Sequence, residues 1–138
     1  MPILLELADR LREARVFSYA PVTDYHVGAS ILAVSGRICD GANIEIVTLS
    51  ETGHAEEMAA KSLVMAGEIQ LSGRRFIKAV AVCSEGKTAP CGRCRQILEE
   101  FCDNCLVIKV DLEENILRIS SLERLLPDAF GPSTLGID

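Results

Sequence analysis

The sequence reads HAEE at residues 54–57 and PCGRC at residues 90–94. A zinc ion that acts on a substrate is normally held by three side chains, and its fourth tetrahedral position stays open for water. His54, Cys91 and Cys94 supply these three ligands. Glu56, two residues after the histidine, is a carboxylate placed to move protons rather than to bind metal. The two segments therefore predict one catalytic Zn²⁺ per chain, with Glu56 as the catalytic residue.

Composition and charge limit the classes of protein to which this chain can belong. Its 138 residues are 49% hydrophobic and 25% charged, which is typical of a compact protein, and we expect a single domain over residues 1–138. The net charge of -6 at pH 7 disfavours binding to a nucleic acid polymer, because that function needs a basic surface. Glu6 and Asp9 interrupt the apolar core that a signal peptide requires. The sequence also has no apolar run long enough to span a membrane, so we expect no membrane contact. We therefore expect a cytoplasmic protein.

The six cysteines do not by themselves predict disulfides. In a reducing compartment, cysteines are more often metal ligands, catalytic groups or buried apolar residues. Cys102 and Cys105 form a second C-x-x-C pair, which would complete a four-cysteine structural zinc site with Cys91 and Cys94 if the two pairs met. Residues 97–101 between the pairs are typical of a helix. We therefore expect Cys102 and Cys105 to be buried apolar residues instead.

Hydrophobic periodicity and turn residues predict the element order αββαβαββα. Two predicted helices cover residues 3–16 and 55–66. A third begins near Cys91, and a short fourth follows a capping box at 120–123. The predicted strands cover residues 27–34, 37–44, 75–83, 105–110 and 115–119. This order is that of an α/β protein, a three-layer α/β/α sandwich with a mixed sheet of about five strands. Both ligand segments begin helices, whose positive ends are expected to favour thiolate over thiol at Cys91 and Cys94.

The predicted site suits the removal of an exocyclic amine from an aromatic ring. That reaction needs a proton on the ring nitrogen, attack of an activated water on the adjacent carbon, and a proton on the departing amine. One carboxylate such as Glu56 can assist all three steps. The pattern of histidine, glutamate and two cysteines is also that of zinc-dependent base deaminases.

Several further segments make the chain resemble the small homotetrameric, zinc-dependent cytidine deaminases over nearly its full length. They are YAP at residues 19–21, YHVGA at 25–29, GANIE at 41–45, PCGRCRQ at 90–96 and LLPDAF at 125–130. The resemblance implies the cytidine deaminase-like fold, Zn²⁺ as the cofactor, and conversion of cytidine or 2′-deoxycytidine into the corresponding uridine with release of ammonia in pyrimidine salvage. It also implies a small-molecule nucleoside substrate and a homo-oligomer, either a tetramer or a dimer.

The same resemblance implies a set of substrate contacts. Asn43 and Glu45 would hydrogen-bond the sugar hydroxyl, since an amide and a carboxylate together suit a group that both donates and accepts. Tyr25 would lie against the pyrimidine ring. The backbone N–H of Ala55 would bind the carbonyl of the base.

The chain departs from the family pattern at several places, which include Ala42, where a cysteine is usual, and Tyr25, where phenylalanine is common. Small tetrameric members usually present Cys-Ala-Glu-Arg where this chain has residues 54–57, and their arginine offsets the excess negative charge of three thiolates. A neutral His54 removes that excess, so we expect that no arginine is required and that Glu57 is tolerated. Residues 46–49 also differ from the family pattern, in a segment that is expected to shape the pocket and the subunit contact.

Three other functions share parts of these motifs. A deaminase of another aminated nucleoside-like compound is one, because blasticidin deaminases share the PCGRCRQ pattern; Asn43 and Glu45 favour cytidine over that group. A polynucleotide-editing deaminase uses the same zinc chemistry, but the acidic composition disfavours it. A non-catalytic, zinc-stabilised binding module is the third, and Glu56 disfavours it because a structural site has no use for that carboxylate.

Overall fold

The computed structural model describes residues 2–113 and 115–137. The predicted domain of residues 1–138 includes Met1, Glu114 and Asp138, which lie outside the described residues. In chain order the elements are α1 (Pro2–Arg15), β1 (Val27–Ala33), β2 (Ile38–Ala42), α2 (Ala55–Met65), α3 (Glu68–Ser72), β3 (Ile77–Ser84), α4 (Gly92–Phe101), β4 (Cys102–Val110), β5 (Ile116–Ser121), α5 (Leu122–Leu125) and a 3-10 turn (Pro132–Leu135). Among the described residues, no helix combines the length and apolar character needed to cross a bilayer.

The predicted order of elements is confirmed, with two additions. Helix α3 and the 3-10 turn near the C-terminus were not predicted, because segments of five and four residues are too short to show helical periodicity. Strand β2 ends at Ala42, before the predicted boundary at residue 44, and β4 already begins at Cys102. These differences do not change the predicted architecture.

The five strands form one mixed sheet in the order β2-β1-β3-β4-β5. Only the β3–β4 pair is parallel, and the other three pairs are antiparallel. Helix α4 connects β3 to β4, since parallel neighbours need a crossover connection. Gly36, with a φ of 95°, turns the chain between β1 and β2 at the predicted hairpin. The predicted mixed sheet of about five strands is confirmed.

Alternation along β3 divides the core into two clusters on opposite faces of the sheet. Val80 belongs to one cluster, whereas Ala79 and Ala81 belong to the other. The first cluster includes Leu63 of α2, Leu98 of α4 and Leu122 of α5, and the second includes Leu7 and Leu11 of α1. Helix α1 therefore covers one face and helices α2, α4 and α5 cover the other, which confirms the three-layer α/β/α sandwich.

Glycine lets both long helices approach the sheet very closely. A Cβ atom at Gly41 of β2 would lie 2.2 Å from the Ala55 carbonyl oxygen and 2.7 Å from the Ala59 nitrogen of α2. At Gly28 of β1 it would lie 2.2 Å from the Leu11 carbonyl oxygen of α1. Glycine within a strand commonly marks such an approach. Gly41 therefore determines where the first turn of α2 lies on the sheet.

The second C-x-x-C pair differs from its prediction. Cys102 and Cys105 are both buried, as expected, but they form a disulfide and not a pair of separate apolar residues. Between them Asn104 has a φ of 51°, and this left-handed residue turns the chain so that the two Cα atoms are 5.4 Å apart, within the range for a disulfide. The pair is therefore unavailable to bind a zinc ion with Cys91 and Cys94.

Gly41→Ala tests the close approach of α2 to the sheet. We expect the free energy of unfolding to fall by about 1–3 kcal/mol, as for an overpacked core, because backbone atoms must shift to make room for the methyl group. Urea denaturation monitored by circular dichroism measures this difference. Gly92→Ala is the matched control, since a Cβ there meets no atom within 4 Å. Equal stability of the two variants would contradict the packing argument.

Candidate metal centre and cleft

The three predicted metal ligands lie at the starts of two helices. His54 is the N-cap residue of α2 and Cys91 is the N-cap residue of α4. Cys94 lies in the first turn of α4, and its backbone N–H donates to Cys91 Sγ at 3.5 Å. Helix α4 follows β3, so its start lies near the carboxyl end of that strand. The start of α2 meets the start of α4 there. The predicted location of His54 and Glu56 at the beginning of a helix is confirmed.

The donor atoms form a compact triangle. His54 Nδ1 lies 3.4 Å from Cys91 Sγ and 3.3 Å from Cys94 Sγ, and all three atoms lie within 4.8 Å of one another. Around a tetrahedral zinc ion, neighbouring nitrogen and sulfur ligands are separated by about 3.5 Å, as follows from the usual bond lengths. One imidazole nitrogen and two cysteine sulfurs therefore fit zinc in both chemistry and spacing. Within the described residues, no other cluster of three such ligands occurs.

Burial changes the protonation of these ligands. It raises the pKa of the Cys94 thiol, and the neighbouring carboxylate of Glu56 raises it further. In the metal-free chain, desolvation therefore favours the thiol at Cys94, and the expected thiolate in a zinc-bound site stays a prediction. Burial also lowers the pKa of His54, and Arg93 adds to this effect, which keeps the imidazole neutral and able to bind metal. Metal binding must release the thiol proton.

Glu56 follows His54 within the first turn of α2 and is 5% exposed. Burial raises the pKa of its carboxyl, whereas hydrogen bonds from its own backbone N–H and from Cys94 act in the opposite direction. The carboxyl lines the same cleft as His54 and Cys91. The structure thus brings the predicted catalytic residue beside the predicted metal ligands.

A cleft of about 550 Å³ opens over this site. Its volume lies within the range of small-molecule binding sites. The four predicted substrate-contact residues all line it, namely Tyr25, Asn43, Glu45 and Ala55. The structure thus brings these four residues to one cleft, and their individual roles stay predictions.

Asn43 lies just beyond the end of β2 and not within the strand as expected. Its Oδ1 accepts hydrogen bonds from the Ser18 hydroxyl and from the Val27 backbone N–H, the latter at 2.9 Å. Its Nδ2 donates to the Tyr25 carbonyl oxygen at 2.7 Å. The amide thus holds the loop before β1 in place and keeps one further N–H to donate.

Glu45 holds the middle of the same loop. Its Oε1 accepts from the backbone N–H groups of Val22 and Thr23 at 2.9 and 3.1 Å. Its Oε2 accepts from the Thr23 hydroxyl at 2.5 Å. The Thr23 hydroxyl, with these backbone donors, lowers the pKa of Glu45, so that the carboxylate is ionised and keeps acceptor capacity on Oε2. Sequence reasoning missed Ser18 and Thr23, since only their position in the folded loop gives them a function.

Tyr25 connects the loop before β1 to the loop between β3 and α4. Its hydroxyl donates to Ser84 Oγ at 2.8 Å and accepts from the Gly86 backbone N–H at 3.1 Å. A Cβ atom at Gly86 would lie 2.5 Å from this hydroxyl. The loop that it holds leads directly to Pro90 and Cys91. The hydroxyl of Tyr25, at a position where phenylalanine is common in the family, therefore supports one wall of the cleft.

Glu57 is buried, with 5% exposure, and is surrounded by donors. It accepts from Arg93 Nη1 at 2.7 Å and Nη2 at 3.1 Å, from Lys61 Nζ at 2.6 Å, and from the His54 backbone N–H at 3.1 Å. Burial alone would raise the pKa of Glu57, but the hydrogen bonds from Arg93 and Lys61 outweigh it and lower the pKa to about 2. Arg93 of α4 thus offsets the charge of Glu57, whereas the expectation that a neutral His54 removes the need for an arginine beside the thiolates stays a prediction.

Residues 46–49 depart from the family pattern but do not line the cleft of the described chain. They form a turn in which Val47 is 84% exposed and Leu49 has a φ of 60°. Their predicted effect on the pocket therefore finds no support within one chain. Their predicted part in a subunit contact stays a prediction.

The fold and the site together define a class of protein. Three protein ligands with an open position and an adjacent buried carboxylate are the arrangement of hydrolytic zinc centres. Residues 5–110 match the family model described as the cytidine and deoxycytidylate deaminase zinc-binding region. The chain belongs to this cytidine deaminase family.

Relatives with known names agree with this assignment. A cytidine deaminase of Vibrio parahaemolyticus is 38% identical over 127 residues, which are 91% of this chain and 39% of that protein. The chain thus spans about two fifths of the length of the Vibrio relatives. A cytidine deaminase of Sporosarcina psychrophila is 35% identical over 126 residues, which are 90% of this chain and 88% of that protein.

Solved structures show the same fold. The crystal structure of cytidine deaminase from Burkholderia pseudomallei superposes with a TM-score of 0.81 at 31% identity, and the match covers 91% of this chain and 97% of that one. The structure from Mycobacterium tuberculosis gives a TM-score of 0.75 at 32% identity, with 91% and 95% of the two chains covered.

Substitution of the ligands tests the metal centre. We expect the purified protein to hold about one zinc per chain, as for a site with a single set of ligands, and His54→Ala, Cys91→Ser and Cys94→Ser to lose it on dialysis. Mass spectrometry of the metal content measures this stoichiometry. Cys39→Ser is the matched control, because Cys39 is a free cysteine outside the donor triangle. Stoichiometric zinc in all three ligand variants would exclude this donor set.

Tyr25→Phe tests the support of the cleft wall. We expect the free energy of unfolding to fall by about 1 kcal/mol, because the hydrogen bonds of the hydroxyl to Ser84 and Gly86 are lost. Urea denaturation measures the change. Tyr19→Phe serves as the control, since Tyr19 is 58% exposed and its hydroxyl should contribute little. If both variants were equally stable, the hydroxyl of Tyr25 would not support the loop.

Proposed function

We propose that the protein catalyses the hydrolytic deamination of cytidine and 2′-deoxycytidine. Water replaces the exocyclic amine, and the products are uridine or 2′-deoxyuridine and ammonia. The observation that carries this proposal is the triangle of His54, Cys91 and Cys94, which opens together with buried Glu56 onto one cleft of nucleoside size. The same activity is named for the relatives from Vibrio and Sporosarcina.

Proton transfer is the task of Glu56 in this proposal. Zinc, when bound, supplies Lewis-acid activation of water near neutral pH. Glu56 takes a proton from the attacking water and delivers it to the ring nitrogen of the base. A second proton passes through the same carboxyl to the departing amine. A buried carboxyl beside the donor triangle suits this function, because burial raises its pKa and so makes it a better proton acceptor.

The base would be held at the start of α2. Ala55 is the first residue of that helix and lines the cleft. The first N–H groups of a helix have no acceptor within the helix, so the Ala55 N–H can donate to the carbonyl of the base. The Tyr25 ring, which also lines the cleft, would lie against the pyrimidine.

The sugar would be held by the two residues that organise the loop before β1. Asn43 keeps one N–H and Glu45 keeps acceptor capacity on Oε2 after their structural hydrogen bonds are counted. A hydroxyl of the sugar can accept from the first and donate to the second. This complementarity favours a nucleoside over an aminated base without a sugar.

We also infer that the protein self-associates. The resemblance suggests a tetramer or a dimer. Large apolar side chains are available for such contacts, since Phe17, Val47 and Met65 are each at least 80% exposed. A cytoplasmic location stays a prediction from the sequence.

Glu56→Gln tests the proposed reaction. The amide keeps the size of the side chain but cannot carry the proton, so we expect kcat for cytidine to fall by about 10²–10⁴-fold with the zinc content retained. Ammonia release and the ultraviolet difference between cytidine and uridine measure turnover. Glu51→Gln is the matched control, since Glu51 lies in the exposed loop before α2.

The substrates in this assay distinguish the competing functions. Turnover of cytidine and 2′-deoxycytidine that depends on Glu56 would support the proposal. A zinc-loaded protein without turnover of either would contradict it. Binding of a nucleoside with equal affinity by the protein and by Glu56→Gln, and no turnover of any aminated heterocycle, would indicate a binding module.

A further inference from the structure

A side-chain link joins the starts of α2 and α4. Glu57 is three residues after His54, and Arg93 lies between Cys91 and Cys94. The two linked residues are separated by 36 positions in the sequence. Each is nevertheless within one helical turn of a metal ligand. A change in the distance between them would therefore change the distance between the ligands themselves.

The geometry of the link is restrictive. Arg93 Nη1 donates to Glu57 Oε1 at 2.7 Å and Nη2 donates to Oε2 at 3.1 Å. Two parallel hydrogen bonds between a planar guanidinium and a planar carboxylate fix orientation as well as distance. A single point charge would fix neither. The pair therefore restrains α2 and α4 in their relative position.

The carboxylate of Glu57 is also connected to a ligand directly. Its Oε1 accepts from the backbone N–H of His54 at 3.1 Å, a contact of the type found in capping boxes. The backbone of His54 is thus held by the same oxygen that Arg93 holds. Movement of Arg93 would be transmitted to the imidazole through one side chain.

Charge and position are supplied by different partners of Glu57. The Glu57 side chain is 7% exposed, so its negative charge needs compensation within the protein. Lys61 provides it at 2.6 Å, but Lys61 lies four residues further along the same helix and cannot restrain α4. Of these two partners, Arg93 is the one that connects the two helices. Lys61 therefore offers a control that removes charge compensation without removing the link.

We propose that Glu57 and Arg93 are positioning residues that set the separation of His54 from the two cysteine ligands and thereby the affinity of the site for zinc. Partners of metal ligands commonly act in this way. The proposal rests on the zinc site of the proposed function and not on the identity of the substrate. A role in fold stability alone would produce a different result, because the metal-free protein would then lose stability without any change in zinc affinity.

The experiment compares Glu57→Gln, Arg93→Gln, the double variant and Lys61→Gln. The zinc dissociation constant is measured by competition with a chromophoric chelator, and the geometry of the donors is followed through the absorption bands of bound Co²⁺. Thermal unfolding of the metal-free proteins is recorded in parallel. Arg93 is 45% exposed, so Arg93→Gln leaves no core residue unpacked and should fold.

We expect Glu57→Gln and Arg93→Gln each to weaken zinc binding by about 10–100-fold, as for other partners of metal ligands, and to alter the Co²⁺ bands. The double variant should bind zinc no more weakly than the single variant with the lower zinc affinity, because both changes remove the same interaction. Lys61→Gln should change the dissociation constant by about threefold or less, as for an exposed ion pair.

Two results would overturn the proposal. One is an unchanged zinc dissociation constant in Arg93→Gln, with or without a lower unfolding temperature. The other is an equal effect of Arg93→Gln and Lys61→Gln, which would mean that charge and not position is important. Failure of the unaltered protein to bind zinc at all would refute the metal centre of the proposed function as well, and is thus distinguishable from failure of the variants alone.

Discussion

The close approach of two helix starts near the carboxyl end of β3 is the constraint on which the site depends. Helix α2 contributes His54 and Glu56, and α4 contributes both cysteines. Neither helix could supply three ligands to one ion by itself. Because Gly41 lets α2 contact β2 without an intervening side chain, the imidazole can reach the two sulfurs. Packing against the sheet is therefore a precondition of the chemistry.

Two neighbouring glutamates in the first turn of α2 have opposite environments. Glu56 and Glu57 are both 5% exposed, yet burial raises the pKa of Glu56 whereas donors lower that of Glu57. Successive residues on a helix point in directions that differ by about 100°. One carboxyl therefore faces the cleft and can exchange protons, and the other is fixed by Arg93 and Lys61.

Polar side chains in the cleft walls have two functions. Asn43, Glu45 and Tyr25 each make hydrogen bonds within the protein and still line the cleft. Buried polar groups need partners, and those of this loop are satisfied by one another. Residues expected to contact a substrate therefore also shape the surface on which it would lie. Substitutions at these positions are therefore expected to change the shape of the cleft.

The sequence by itself determined the order of the five strands and the main helices, the three-layer architecture and the three residues expected to bind zinc. Periodicity of apolar residues and the capping residues before His54 are local properties, so they can be interpreted without the fold. The helix start at Cys91 was predicted for the same reason. The raised pKa of the Cys94 thiol could not be predicted in the same way, because its burial depends on neighbours from other elements.

Only the tertiary structure decided which distant residues meet. Nothing in the local pattern around Arg93 indicates that its partner is Glu57. The local pattern also did not predict the left-handed turn at Asn104 that joins Cys102 to Cys105. These contacts depend on distances between elements far apart in the chain. Such distances are set by side-chain packing between helices and sheet, which local periodicity does not specify.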